Sequence, residues 1–311
     1  MTKDKSKDLA KDQNKDSQSL PPMGFEVIKR EFMKDKLALL SLIVFILILL
    51  FLYVAPFFLN LESATKVQIF NRYMTPGSVT DTGHTYLLGA DEGGRDVLAQ
   101  LILGGRNSIS IALIVTATTM IIGLVIGVIS GYYGGRVDNW VMRIVDFFMI
   151  IPGFIMIITL NTIFKVSNIY GLCITFIIIG WTGFARLFRT RTLSEASKDY
   201  ISASKTMGTH DWKIMFKELL PNISSIIITQ LVLVMAGNIG LETGLSYLGF
   251  GLPIGTPSLG TLIGAAKTAD IIENKQWVWL PAALFILVLM LCINYIGQAL
   301  QRSTDARQRL G

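Results

Sequence analysis

Apolar residues gather into six long runs, near 37–56, 108–130, 144–164, 169–187, 223–247 and 277–300, with polar stretches between them. A hydrocarbon core about 30 Å thick takes about 20 apolar helical residues to cross. Each run therefore predicts a membrane-spanning helix, and the chain reads as an all-α polytopic membrane protein with six transmembrane helices over 37–300. Residues 1–24 repeat lysine and aspartate (Lys3, Asp4, Lys5, Lys7, Asp8, Lys11, Asp12, Lys15, Asp16) and are too polar to bury a core. Residues 1–36 are thus predicted to be a largely disordered tail, and 301–311 a second polar tail. The first run follows a long charged segment and ends at Ala55-Pro56. That is the pattern of an uncleaved anchor rather than a secretory signal.

Finer patterning singles out three places. Gly123, Gly127 and Gly131 recur every fourth residue in the second run, a small-residue stripe that lets another helix approach closely. Pro152-Gly153 should bend the third span. The connection 188–222 is too patterned for a tether. A helix over about 193–207 is predicted to end at Gly208, with that glycine in the left-handed position after it. A second helix capped by Thr209 would place Trp212, Met215, Phe216 and Leu219 on one apolar face, with Lys213 and Lys217 beside it, and stop at Pro221. Such a helix suits a membrane surface or a partner's groove.

Composition excludes a water-soluble enzyme: 51% of the 311 residues are hydrophobic, 16% are charged, and mean hydropathy is +0.53. The net charge of +6 points to nucleic acid less than to topology, because the cations are unevenly placed. Alternate connections carry 9, 2, 7 and 3 Lys or Arg residues, and the others 4, 1 and 2, a division of 21 against 7. By the positive-inside rule both termini and 188–222 are cytoplasmic, while 57–107 and 248–276 face outward in a plasma membrane. Trp140, Trp277 and Trp279 fall where aromatic belts form.

Candidate chemistry is sparse. Cys173 and Cys292 lie inside apolar runs and read as packing residues. His84 and His210 are isolated, so no metal site is expected. The segment Gly260-Thr261-Leu262-Ile263-Gly264-Ala265-Ala266-Lys267-Thr268 lacks the end of a phosphate loop, and no cofactor is expected in this chain. Asp91, Arg95 and Asp96 read either as a self-satisfied polar turn or as an outward contact. Glu242 stands in an apolar run and must be neutral, paired or facing water, as a buried hydrogen-bonding group or a pathway residue. Asp146 is expected to pair with Arg136 or Arg143.

The stretch Asp199-Tyr200-Ile201-Ser202-Ala203-Ser204, then Gly208, then Leu220-Pro221-Asn222, resembles the EAA loop of binding-protein-dependent ABC importer permeases. Its spacing is intact, with Ser202 in place of the glutamate, Ser204 of the second alanine and Glu218 of the isoleucine. Leu88-Gly89-Ala90-Asp91-Glu92-Gly93-Gly94-Arg95-Asp96, Gly131-Tyr132-Tyr133-Gly134-Gly135-Arg136-Val137-Asp138 with Met142-Arg143 and Asp146, and Leu245-Ser246-Tyr247-Leu248-Gly249-Phe250-Gly251 after Glu242 resemble segments of the C-type subunit of dipeptide, oligopeptide and nickel permeases. Thr256-Pro257-Ser258 continues the last of these, while Ile296-Gly297-Gln298 lacks the aspartate often found after that glycine.

The resemblance implies a type I ABC importer transmembrane domain forming half of a pathway. It implies a heterodimer with a B-type permease, two ATPase subunits that hold ATP and magnesium, and an extracytoplasmic binding protein delivering peptides. Ser202, Ala203, Ser204, Gly208, Trp212, Met215, Phe216, Leu220 and Pro221 would form the coupling contact with an ATPase. Asp91, Arg95 and Asp96 would lie where the binding protein docks. A chain without a nucleotide-binding domain draws on ATP only through another subunit. The alternatives are a nickel-complex importer of the same family and an ion-coupled secondary transporter with Glu242 as the coupling group.

Overall fold

The computed structural model describes residues 30 and 32–310 apart from 60, 82 and 254, and only the backbone of 62, 64 and 304–310. Most of the tail read as disordered, 1–29, lies outside the described residues. The first span, α1 (Lys36–Val54), begins where the Asp35 side chain accepts from Leu37 N and Ala38 N. Only Ala38, Ser41 and Leu52 of this helix are buried, so in the isolated chain it shows most of its apolar surface. The segment to residue 96 holds short 3₁₀ turns and one hairpin, β1 (Ser78–Val79) against β2 (Thr85–Tyr86), with Ser78 opposite Tyr86.

Helix α2 (Val97–Tyr133) has 37 residues, about 55 Å at 1.5 Å per residue, longer than a bilayer core. It starts well before residue 108, because Asp96 caps it through Leu98 N and Ala99 N. Residues 97–107, expected from the sequence to lie in an outward loop, are helical, and Val97, Ala99, Leu101 and Ile102 among them are buried. α3 (Gly135–Ile150) and α4 (Gly153–Ile163) replace the predicted third span and meet at 80°. Ile151, extended just ahead of Pro152, therefore breaks the helix rather than merely bending it.

α5 (Ile169–Ala196) packs along α2 through the glycine stripe. A Cβ on Gly123 would lie 2.4 Å from Phe184 Cβ, one on Gly127 2.6 Å from Ala185 O, and one on Gly131 2.7 Å from Arg189 O. Backbones can approach that closely only where no side chain intervenes. α6 (Asp199–Thr206) and α7 (Asp211–Ile214) follow; then one π turn, Met215–Leu219, leads into α8 (Leu220–Tyr247). α9 (Leu259–Ile263), α10 (Ala269–Asn274) and the last span, α11 (Leu280–Leu310), complete the chain.

Among the described residues, five helices are long and apolar enough to cross a membrane, or six if the bent pair α3–α4 is one span. Leu52, Ile109, Ile239, Leu289 and Ile293 join α1, α2, α8 and α11 in one core cluster. Phe188, Ile201, Ile214, Leu219 and Ile223 form another where α5 to α8 meet. A third, with Ile111, Leu172, Phe176 and Leu245, lies toward the opposite end of α5. The first and last spans also meet through Arg302 Nη2 and Asp35 Oδ2 at 2.5 Å.

Candidate functional site

Residues 197–222 form an elbow. The helix predicted over 193–207 is two helices, because Ser197 Oγ turns back to Ser194 O at 2.9 Å and Lys198 is extended, ending α5 and starting α6 afresh. After α6, Gly208 takes φ +76. Gly208 N donates to Lys205 O at 3.0 Å and Thr209 N to Ser204 O at 3.1 Å, the paired bonds of a Schellman end. The next helix is capped by His210, whose ring accepts from Trp212 N, and not by Thr209. Pro221 does not end it either. The π turn lets Leu220 N bond five residues back to Met215 O, and the helix runs on through Pro221, which has no N–H to give.

The apolar face of this segment divides in two. Trp212 and Phe216 stack at 5.6 Å between ring centroids and are 52% and 54% exposed. Met215 and Leu219 are 2% and 0% exposed and face the bundle. Met215 is therefore a packing residue and not part of an outward contact surface. At about 100° per residue the four side chains cover a wide arc, and the elbow's docking against α5 and α2 takes one edge of it. Ser202 and Ala203 are exposed and Ser204 is buried, while Leu220 is half-buried and Pro221 exposed.

Polar bonds brace the elbow. Tyr132 OH, at the end of α2, donates to Asp211 Oδ1 at 2.7 Å, and Lys205 Nζ sits 4.3 Å from the centre of the same ring. Tyr200 OH donates to Glu195 Oε1 at 2.7 Å, and burial pushes this phenol up to about 12 with help from the Glu195 carboxylate. Beside the elbow, Arg189 grips Asp138 through Nε at 2.7 Å and through Nη2, while Ser130 Oγ donates to the same carboxylate at 2.6 Å. Arg189 escaped sequence reasoning, since its partner lies 51 residues away. Asp146 pairs with Arg186 and not with Arg136 or Arg143, because α3 lies against α5 and presents Asp146 to that helix. On the face of α5 turned away from α2, Gly183, Arg186, Leu187, Thr190, Arg191 and Ser194 line an open concavity of about 510 Å³. Arg186 and Arg191 bring two guanidinium groups to this face, which do not suit lipid tails.

At the other end of the bundle the carboxylates turn inward. Asp91 accepts from Gly93 N at 2.8 Å, Arg95 N at 2.9 Å, Arg95 Nε at 2.8 Å and Gln100 Nε2 at 2.9 Å. Asp96 caps α2 and also contacts His84 Nε2 at 3.0 Å. Gly94 has φ +69, and a Cβ there would lie 1.9 Å from Gln68 O. Asp91 and Asp96 are buried, so the knot's exposed charge is the outlying pair Arg72 and Glu92, 2.7 Å apart. Trp277 is drawn into the knot, donating from Nε1 to Ala90 O at 3.3 Å, and so does not stand free in an aromatic belt.

Glu242 is 0% exposed. Its Oε2 accepts from Ser108 Oγ at 2.7 Å and its Oε1 from Ser246 Oγ at 2.8 Å. Ser108 Oγ in turn accepts from Leu259 N at 3.1 Å, and Asn107 Nδ2 donates to Pro257 O at 2.8 Å. The carboxyl thus ties α2, α8 and the start of α9 together and opens to no water. Among the described residues no three His, Cys, Asp or Glu side chains gather as metal ligands would.

Long apolar helices packed through glycines, a buried polar junction and an exposed aromatic elbow describe a membrane permease subunit. A family model described as "Binding-protein-dependent transport system inner membrane component" matches residues 123–309, and another, "N-terminal TM domain of oligopeptide transport permease C", matches 25–76. The chain is 47% identical over 281 residues to the oligopeptide transport system permease protein OppC of Lactococcus lactis subsp. cremoris (strain SK11), covering 90% of this chain and 94% of the relative. It is 31% identical over 279 residues to OppC of Bacillus subtilis (strain 168), covering 89% and 88%. It is 28% identical over 313 residues to the dipeptide transport system permease protein DppC of Lactococcus lactis subsp. cremoris (strain MG1363), covering 91% and 90%. The chain belongs to the family of binding-protein-dependent transport system inner membrane components. Its fold is that of a type I ABC importer transmembrane domain: an inward-facing structure of the MetNI methionine ABC transporter superposes with TM-score 0.53 at 20% identity, covering 66% of this chain and 97% of that one.

Proposed function

We propose that this permease subunit forms half of the membrane pathway of an ATP-driven peptide importer. The observation that carries the coupling half of this reading is the stacked, exposed pair Trp212 and Phe216 on a braced elbow. Two aromatic rings held in water at the end of a span are a ready contact for a groove on another protein. The peptide cargo rests on what the relatives named oligopeptide and dipeptide permeases are said to transport. In this reading the elbow and both termini are cytoplasmic, as the 21 to 7 division of cations favours. The elbow docks on an ATPase that holds ATP and magnesium, and a binding protein delivers cargo at the Asp91 knot. A B-type permease completes the pathway across the face of α5 that carries Arg186 and Arg191.

Mechanically, α8 connects the two ends. It begins in the elbow and ends beside Glu242 and the 248–264 segment. A push on Trp212 and Phe216 passes into α8 through the unbroken helix, and the Glu242 junction conveys it to α2 and α9. The ATPase changes the pathway only if it binds the elbow differently in the two conformations.

The test is reconstitution of the permease pair, ATPases and binding protein in proteoliposomes. Peptide uptake should require ATP and survive collapse of ion gradients. Uptake that follows an imposed proton or sodium gradient without ATP would overturn the proposal, and uptake of nickel with no peptide uptake would reassign the cargo.

A further inference from the structure

Two positions of the elbow depart from the loop pattern it resembles, and the structure brings them together. Ser204 stands where that pattern has its second alanine and Glu218 where it has isoleucine, and Ser204 Oγ donates to Glu218 Oε1 at 2.7 Å. Ser204 is buried, on α6; Glu218 lies in the π turn. We propose that Ser204 and Glu218 form a latch between the two arms of the elbow, positioning residues that make Trp212 and Phe216 move as one body with α8. The proposal rests on the reading of the elbow as the ATPase contact.

The surrounding bonds give the latch its leverage. Ser204 O accepts from Thr209 N at 3.1 Å, so this residue closes the turn with its main chain and holds the far arm with its side chain. Asn222 Nδ2, in the first turn of α8, donates to Glu218 O and to Tyr200 OH, each at 2.8 Å. Tyr200 OH reaches Glu195 Oε1, which ends the path on α5. A load on the exposed aromatic pair then meets a closed ring of bonds instead of a free hinge. Without the bond across the arms, Gly208 with its open surroundings would leave Asn222, Tyr200 and the apolar packing to hold the elbow, and part of the stroke would be lost.

The pair is also a chemical unit. Alanine with isoleucine would fill the gap by apolar contact, whereas serine with glutamate fills it with a directed hydrogen bond. A mixed pair does neither: alanine opposite Glu218 leaves the carboxylate short of a donor, and serine opposite isoleucine leaves the hydroxyl unpaired. The two substitutions must therefore be strongly non-additive.

The experiment measures ATP hydrolysed per peptide imported by the complete reconstituted complex. Ser204→Ala and Glu218→Ile alone should each raise this ratio about threefold or more, and the double variant S204A/E218I should bring it back near the parent value. Glu218→Gln, whose amide oxygen still accepts, should stay close to the parent. If a single variant does not assemble, assembly of the double variant supports the latch. Additive effects, unchanged single variants, or a double variant worse than either single one would overturn it. Phe216→Asp in the same assay separates the two ideas. If it leaves the ATPase bound and transport coupled, the contact reading fails. If it releases the ATPase while the latch variants behave like the parent, the contact stands and the latch fails.

Discussion

The Asp91 knot and the Trp212 elbow are both polar turns at the ends of long helices, and both hinge on a glycine of positive φ, Gly94 and Gly208. They use their polar groups in opposite ways. In the knot, Asp91 and Asp96 spend their oxygens on the loop itself and are buried. In the elbow, Tyr132, Ser204, Glu218 and Asn222 hold the backbone so that two aromatic rings point outward. A turn whose interactions close on themselves adds stability to the subunit alone. A turn whose interactions hold apolar groups in water stores its energy for a partner.

This contrast predicts where substitutions act. Asp91→Ala orphans Arg95 and Gln100 in a buried site and should cost about 3 kcal/mol, seen as a lower Tm of the detergent-purified subunit. An unchanged Tm would break the contrast at this end. Phe216→Asp should do the reverse. Losing a contribution of about 1.5 to 3 kcal/mol from a buried ring should weaken ATPase co-purification about tenfold or more while the Tm of the isolated subunit stays put. Glu242→Gln keeps both serine partners within reach, so transport should hold within about threefold and its pH profile should not move; complete loss with normal assembly would instead favour ion coupling.

The smallest effect is expected at Asp35, where Ala38 N–H and then Arg302 hold the carboxyl below its usual 3.8. A carboxyl depressed in the folded state stabilises above its unfolded value and loses that contribution as pH falls through the folded one. Asp35→Asn should thus lower Tm by about a degree or two at neutral pH and by nothing once the medium is more acidic than the depressed value.

Local features were legible in the sequence for physical reasons. Runs of apolar residues, the glycine stripe of α2, a change of direction at Pro152 and the left-handed Gly208 are each dictated by a few neighbouring residues, though the bend expected at Pro152 is a full break. Pairings set by how helices dock were not. Asp146 found Arg186 rather than a nearer arginine, and Arg189 found Asp138, because α3 lies against α5. Met215 shares a helical stripe with Trp212 and Phe216, and only the packing of the elbow shows that it turns inward. The π turn ahead of Pro221 has no periodic signature, and the contact of Ser204 with Glu218 depends on the angle that Gly208 sets.

The central claim, that the elbow is the ATPase contact, is tested most directly by site-specific photo-crosslinking in the assembled complex. A photoreactive residue at position 212 or 216 should capture an ATPase subunit, and one at the fully exposed Phe70, beside the Asp91 knot, should capture none. Capture of lipid alone from 212 and 216, or of an ATPase from position 70, would contradict the account.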